Sequence, residues 1–233
     1  MKESVIERML RVDTAKSETR MDRVKYYNKY EPTPYKALET LFKHYIVDEK
    51  DYFVDFGSGK GRFSFFLNFF FGCGCTSVEL VEDFHRKAVS NYESYKKRNP
   101  SAVGKLFFVN GYAEKYEVSD FENKFYFFNP FSVNIFMTVI NNIIKSVEDK
   151  GREVDVILYY PSVEYITFLE RRTAFYHVMD IPLSGIDKDP REKFSVYRFG
   201  DSQNRLEDDC VININIKTIV YRNNIICKKE NKE

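Results

Sequence analysis

The run Val54-Asp-Phe-Gly-Ser-Gly-Lys-Gly-Arg62 is the densest concentration of ligand-binding residue types in the chain. Gly57, Gly59 and Gly61 allow a tight turn and let backbone approach a ligand closely. Ser58 and Arg62 lie in the same run, and the helix that follows would add free N–H groups and partial positive charge at its N-terminus. Asp55 precedes the first glycine by two residues, and Glu79 follows Gly61 by 18, at the end of the next apolar segment. A carboxylate at that position accepts hydrogen bonds from ribose hydroxyls in strand–loop–helix–strand units. The spacing is Gly-x-Gly-x-Gly, whereas the dinucleotide fingerprint is Gly-x-Gly-x-x-Gly. The surrounding pattern therefore has to decide between ligands.

Three further groups carry polar or aromatic residues beside glycine or proline. Asn110-Gly-Tyr112-Ala113 closes a third apolar segment, and Phe127-Phe-Asn129-Pro130-Phe131 closes a fourth. Tyr30-Glu-Pro-Thr33-Pro-Tyr35 is held extended by its two prolines. Thr33 and Tyr35 offer hydroxyls there, and an aromatic ring near a cation is attractive.

The elements that must position these residues follow from periodicity. Short apolar runs at Tyr52–Phe56, Thr76–Leu80, Leu106–Val109, Phe125–Phe128 and Val154–Tyr160 read as strands. Gly61–Phe71, Asp83–Arg98 and Val133–Ser146 read as helices between them, after a short helix over Tyr35–Tyr45. Strands apolar on both faces and separated by helical periods predict a doubly wound α/β fold, its mostly parallel sheet covered on both faces. Phe175–Ile181 and Phe194–Phe199, joined by a loop with Pro182, Gly185 and Pro190, predict a terminal antiparallel pair and complete a seven-stranded Rossmann-like sheet. Three regions result: 1–45 as an N-terminal helical lid segment, 46–200 as the ligand-binding domain, and 201–233 as an extension. Within the last, Ile212, Ile214 and Ile216 alternate with polar residues like an edge strand.

On these motifs the chain resembles the class I S-adenosylmethionine-dependent methyltransferases, over about residues 30 to 200. Val54–Arg62 is similar to their first motif and Val78-Glu79-Leu80 to their second. The resemblance implies S-adenosylmethionine as cofactor, with the loop Gly57–Gly61 on its methionine part. Asp55 would support that loop or bind the amino group, Glu79 the ribose hydroxyls, and Leu80 would pack on adenine. Backbone at Tyr112 and Ala113, or the Asn110 side chain, would meet the adenine edge. Asn129-Pro130-Phe131 resembles the Asn/Asp-Pro-Pro-Tyr/Phe motif of amino-group methyltransferases but has one proline, so the methylated atom stays open between nitrogen and oxygen. In those enzymes the Asn side chain and a backbone carbonyl hold the target nitrogen, and the aromatic ring packs on the acceptor. Thr33 and Tyr35 would belong to a segment folded over the cofactor.

Composition narrows the partners. The 233 residues are 43% hydrophobic and 30% charged, with a net charge of +1. No strong electrostatic case for a nucleic-acid acceptor arises, so a small-molecule or protein acceptor is expected. The longest apolar stretch, Phe63–Phe71, is too short to span a bilayer, and the first ten residues lack the apolar run of a secretory signal; a cytoplasmic protein is expected. Cys73, Cys75, Cys210 and Cys227 have no zinc spacing, so no metal is expected. His44, His85 and His177 stand outside the motifs. Two rivals remain: a nicotinamide-dependent oxidoreductase, and a non-catalytic binding protein on the same fold.

Overall fold

The computed structural model describes residues 2–15, 31–183 and 189–200, all within the compact unit Met1–Gly200. Tyr30, Gly185, Cys210, Cys227 and the isoleucine alternation at 212–216 lie outside the described residues.

The order is α1 (Glu3–Leu10), α2 (Tyr35–His44), β1 (Tyr52–Phe56), α3 (Arg62–Phe71), β2 (Gly74–Glu79), α4 (Glu82–Lys96), β3 (Leu106–Asn110), β4 (Lys124–Phe127), α5 (Val133–Lys150), β5 (Val154–Tyr159), α6 (Val163–Arg172), β6 (Tyr176–Pro182) and β7 (Lys193–Phe199). The strands form one sheet in the order β3-β2-β1-β4-β5-β7-β6. β1 to β5 run parallel, and β7 is antiparallel to both β5 and β6. The sheet is the doubly wound, seven-stranded one the periodicity predicts. Strand order reverses between β1 and β4, where a crevice opens at the carboxyl ends of parallel strands.

Alternation along each strand sends side chains to two cores. Phe53, Cys75, Tyr126 and Ile157 join α1, α2, α3 and Tyr95 of α4 on one face. Val54, Phe56, Phe125, Phe127 and Val156 join α5 and α6 on the other. α3 is apolar nearly all round because it is buried from Arg62 to Asn68. Gly61 and Gly72 bound it in left-handed conformations. α5 is amphipathic and buries Phe136, Val139, Ile140, Ile143 and Val147; it continues one turn beyond the expected Ser146 and stops at Gly151. Between β3 and β4 there is only a 3₁₀ turn, Ala113–Lys115.

Candidate functional site

The glycine loop turns β1 into α3 with Gly57, Gly59 and Gly61 at φ of 75°, 55° and 83°. Gly57 is required twice over. Its φ disfavours any side chain, and an added Cβ would lie 2.3 Å from Pro130 Cβ. The β1 and β4 ends therefore touch through a bare backbone. Gly57 and Ser58 donate their N–H groups to the Val78 carbonyl at 2.9 and 3.2 Å, which clamps the loop to β2. Ser58 Oγ is buried without a hydrogen-bond partner among the described residues.

Two carboxylates face the crevice that results. Glu79 ends β2 and accepts from Gly59 N at 2.8 Å and from Val81 N at 2.7 Å, one bond on each oxygen. Burial raises its pKa, and those backbone donors oppose the rise. Asp55 is only 4% exposed, yet no donor among the described residues meets its carboxylate. Burial, and then the charge of Glu79, push its pKa well above the usual carboxylate range. An open cleft runs over both, walled by Thr33, Ser58, Phe84, Phe128 and Pro130.

The structure brings together many of the residues singled out from sequence. Thr33, Asp55, Gly57, Ser58, Arg62, Glu79 and Pro130 all line the cleft; Gly59 and Gly61 shape it through backbone. Arg62, however, spends its guanidinium on the N-terminal segment. It donates to Thr14 Oγ1 at 2.7 Å, Glu3 at 2.7 Å and the Thr33 carbonyl at 3.1 Å, with Glu7 at 3.4 Å. Tyr35 is fully buried, lies under that guanidinium at 4.3 Å and donates its hydroxyl to Glu7. It fastens α1 and does not line the cleft.

Five other residues fall away from the cleft, and Asn129 is not among the residues that line it. Leu80 is half-buried outside it, and Val81 and Phe84 supply its apolar wall beside Glu79. The Tyr112 ring is 48% exposed under the Lys115 ammonium, and Ala113 packs in the α5 core. Asn110 instead donates to the Glu79 and Leu80 carbonyls at 2.8 and 3.1 Å and braces the β2 end. Phe131 is a core residue, edge-on to Phe127, with its carbonyl held by the Tyr165 hydroxyl at 2.5 Å. At the end of β4 the ring that lines the cleft is Phe128, 4.5 Å from Tyr159, beside Phe63, Phe84 and Tyr126.

Strand parity could have found this. Tyr126 is in register with Asp55 and so shares its face, and Phe128 lies two residues on. Asn129 follows at a positive φ of 42°, and Tyr160, at the end of β5, at 50°. Two non-glycine residues in the left-handed region at adjacent strand ends mark held backbone, a feature that clusters at functional sites.

A family model described as histone methylation protein DOT1 matches residues 18–145, more than half of the chain. The chain belongs to this family. As a DOT1-family protein it is a class I methyltransferase whose methyl donor is S-adenosylmethionine. Among solved structures, a putative RNA methyltransferase from Pyrococcus horikoshii is 16% identical with a TM-score of 0.53, covering 86% of this chain and 99% of its own. MccD protein is 12% identical with a TM-score of 0.50, covering 70% and 96%. An RNA methyltransferase from Salinibacter ruber, in complex with S-adenosyl-L-homocysteine, is 19% identical with a TM-score of 0.46, covering 73% and 93%. These likenesses are of fold. No curated protein matches the DOT1-family chain in sequence. Among its described residues, no helix is long and apolar enough to cross a membrane.

Proposed function

We propose that the cleft at the β1–β4 switch point holds S-adenosylmethionine and presents its methyl group to an amino group of a protein or small molecule. The carrying observation is Asp55, a buried carboxylate with no donor among the described residues, facing the same cleft as Glu79. A site built for a cation supplies the missing partner; the cofactor's methionine ammonium is one. Each Glu79 oxygen uses one of its acceptor positions on backbone, and a carboxylate has about four, which leaves room for two ribose hydroxyls. Ser58 Oγ, unpartnered among the described residues, and the loop N–H groups suit the methionine carboxylate. Val81 and Phe84 suit the adenine, in the place first given to Leu80.

The bound cofactor supplies an electrophilic methyl on a sulfonium. The chain's own part is alignment and exclusion of water. Phe128 takes the place first given to Phe131 as the ring packed on the acceptor. The Asn129 side chain and the Pro130 carbonyl orient the nitrogen lone pair towards the methyl group. Thr33, held by a 2.7 Å bond to the Tyr126 hydroxyl, closes one wall, so that segment 1–45 acts as a lid. The family's description refers to histone methylation; together with the Asn-Pro pair this favours a protein amine.

Calorimetry with S-adenosylhomocysteine tests the donor half. Wild-type binding with a large loss in Asp55→Asn supports it, and unchanged affinity in that variant overturns the assignment of Asp55. Transfer of labelled methyl from S-adenosylmethionine to core histones, polylysine and tRNA tests the acceptor half. Exclusive labelling of the tRNA overturns the amine reading.

A further inference from the structure

The N-terminal segment is tied to the glycine loop at two points, one on each side of Gly61. On one side Asn91, buried in α4, donates to the Lys60 carbonyl at 3.2 Å and to the Asp13 carbonyl at 3.3 Å, and accepts from Asp13 N at 2.9 Å. On the other side Arg62 opens α3. Its guanidinium meets Glu3, Glu7 and Thr14 of the N-terminal segment and the Thr33 carbonyl of the cleft wall. Glu7 also accepts from Thr14 N and from the Tyr35 hydroxyl, both at 2.7 Å, and Glu3 accepts from Tyr35 N at 2.8 Å. Arg62 is a cation in a costly place. It is buried and stands in the first turn of a helix, where the macrodipole disfavours positive charge. A buried guanidinium needs counter-charges, and the two carboxylates it meets both belong to α1. α1 in turn has only eight residues, too few to hold a helix alone. It is held by Arg62, and by Ile6 and Leu10 in the core that also contains Phe63 and Phe66 of α3. Each side therefore depends on the other.

We propose that docking of α1 and binding of S-adenosylmethionine favour each other, with Arg62 and Asn91 as positioning residues that hold the glycine loop between them. This rests on the reading of the cleft as the donor site. With α1 docked, Lys60, Arg62 and the Thr33 wall keep one arrangement. With α1 released, Arg62 is left buried without its counter-charges, and the loop has to move to bring that cation to water. The N-terminal segment thus sets donor affinity from outside the cleft, separately from the contacts at Asp55 and Glu79.

Such coupling is reciprocal, so the full chain can be read from either side. Hydrogen exchange of the wild type, with and without saturating S-adenosylhomocysteine, reads it from the ligand. The amides of Ile6 to Leu10 should slow roughly five- to tenfold more than those of α6, which packs in the other core. Calorimetry with S-adenosylhomocysteine reads it from the segment. Glu7→Ala should weaken binding by a similar factor and raise KM for S-adenosylmethionine with kcat little changed, and Asn91→Ala should do the same to a smaller extent. The double variant Glu7→Ala/Arg62→Met should bind no more weakly than Arg62→Met, because the cation that Glu7 serves is gone. Amides of α1 that slow no more than those of α6 overturn the proposal and leave the donor site standing, and this reading needs no variant to fold. Wild-type affinity in Glu7→Ala overturns it too, as do additive losses in the double variant. Binding of S-adenosylhomocysteine that leaves exchange in the glycine loop unchanged overturns the underlying reading instead.

Discussion

The two ends of the sheet hold buried carboxylates in opposite conditions. At the amino end of the parallel strands, Asp155 opens β5 fully buried and fully partnered. Lys124 reaches it at 2.9 Å, Arg198 at 2.7 and 3.1 Å, and the Tyr45 hydroxyl donates as well. Against the cost of burial, these donors hold its pKa below the usual value. At the carboxyl end, Asp55 is comparably buried, meets no donor among the described residues, and has its pKa driven up. Both side chains start on the same face of the same sheet. One end closes its electrostatics within the chain and contributes to stability. The other leaves a buried carboxylate without a donor among the described residues, at a cost to the unliganded fold, and in the proposed function a ligand completes it.

The largest expected effect comes from breaking the satisfied end. Asp155→Ala strands two cations that share one carboxylate, and it should cost about 3 kcal/mol of unfolding free energy, read from denaturant titration with cofactor affinity unchanged. Because the folded pKa of Asp155 is lowered, its contribution is present above the unfolded carboxylate pKa. It is lost as pH falls through the folded value. Wild-type stability should therefore drop on acidification below about pH 4, and the variant should lack that part of the drop.

Asp55→Asn should act in the reverse sense. Its folded pKa is raised, so its contribution is complete below the unfolded pKa and disappears as pH rises through the folded value. At neutral pH the amide should leave the unliganded protein as stable as wild type or more so. S-adenosylhomocysteine binding should weaken by about 2 kcal/mol, in the range for hydrogen bonds to charged groups. Thermal unfolding with and without ligand reads both quantities. A variant less stable than wild type in the unliganded state would erase the contrast between the two ends.

What was legible in the sequence divides along similar lines. The glycine loop, Asp55 and Glu79 are local: their meaning lies in spacing within one strand–turn–helix unit, and positive φ at three positions leaves glycine as the natural choice. Strands apolar on both faces announced the parallel sheet for the same reason. The Arg62 network was not legible, because Glu3, Thr14 and Thr33 are brought to it by tertiary packing alone, across separations of 29 to 59 residues. Asp155 was equally hidden, its partners spread from Tyr45 to Arg198. The exchange of Phe131 for Phe128 differs in kind. Period-two parity along β4 carried that signal, and the Asn-Pro-Phe resemblance outweighed it.

Glu79→Gln tests a position between the two extremes, partly satisfied by backbone and partly open. Glutamine keeps one acceptor oxygen, so either Gly59 N–H or Val81 N–H loses its partner. Stability should fall by about 1 kcal/mol, and S-adenosylhomocysteine affinity should fall with it, whereas Asp55→Asn separates the two. If Glu79→Gln left stability untouched, its backbone bonds would carry no structural weight and its carboxylate would resemble Asp55.

The smallest effect is expected where the N-terminal segment meets the cleft. Thr33→Val keeps the shape of the side chain and removes its hydroxyl, leaving Tyr126, a fully buried phenol, without its 2.7 Å partner. The loss should be roughly 1 kcal/mol. Arg62 binds the Thr33 carbonyl and not its side chain, so α1 should stay fastened, and proteolysis of residues 1–30 should proceed at the wild-type rate. Faster cleavage there would mean that the hydroxyl, rather than the guanidinium, seats the N-terminal segment. The wall beside Asp55 would then depend on the same bond that satisfies the core.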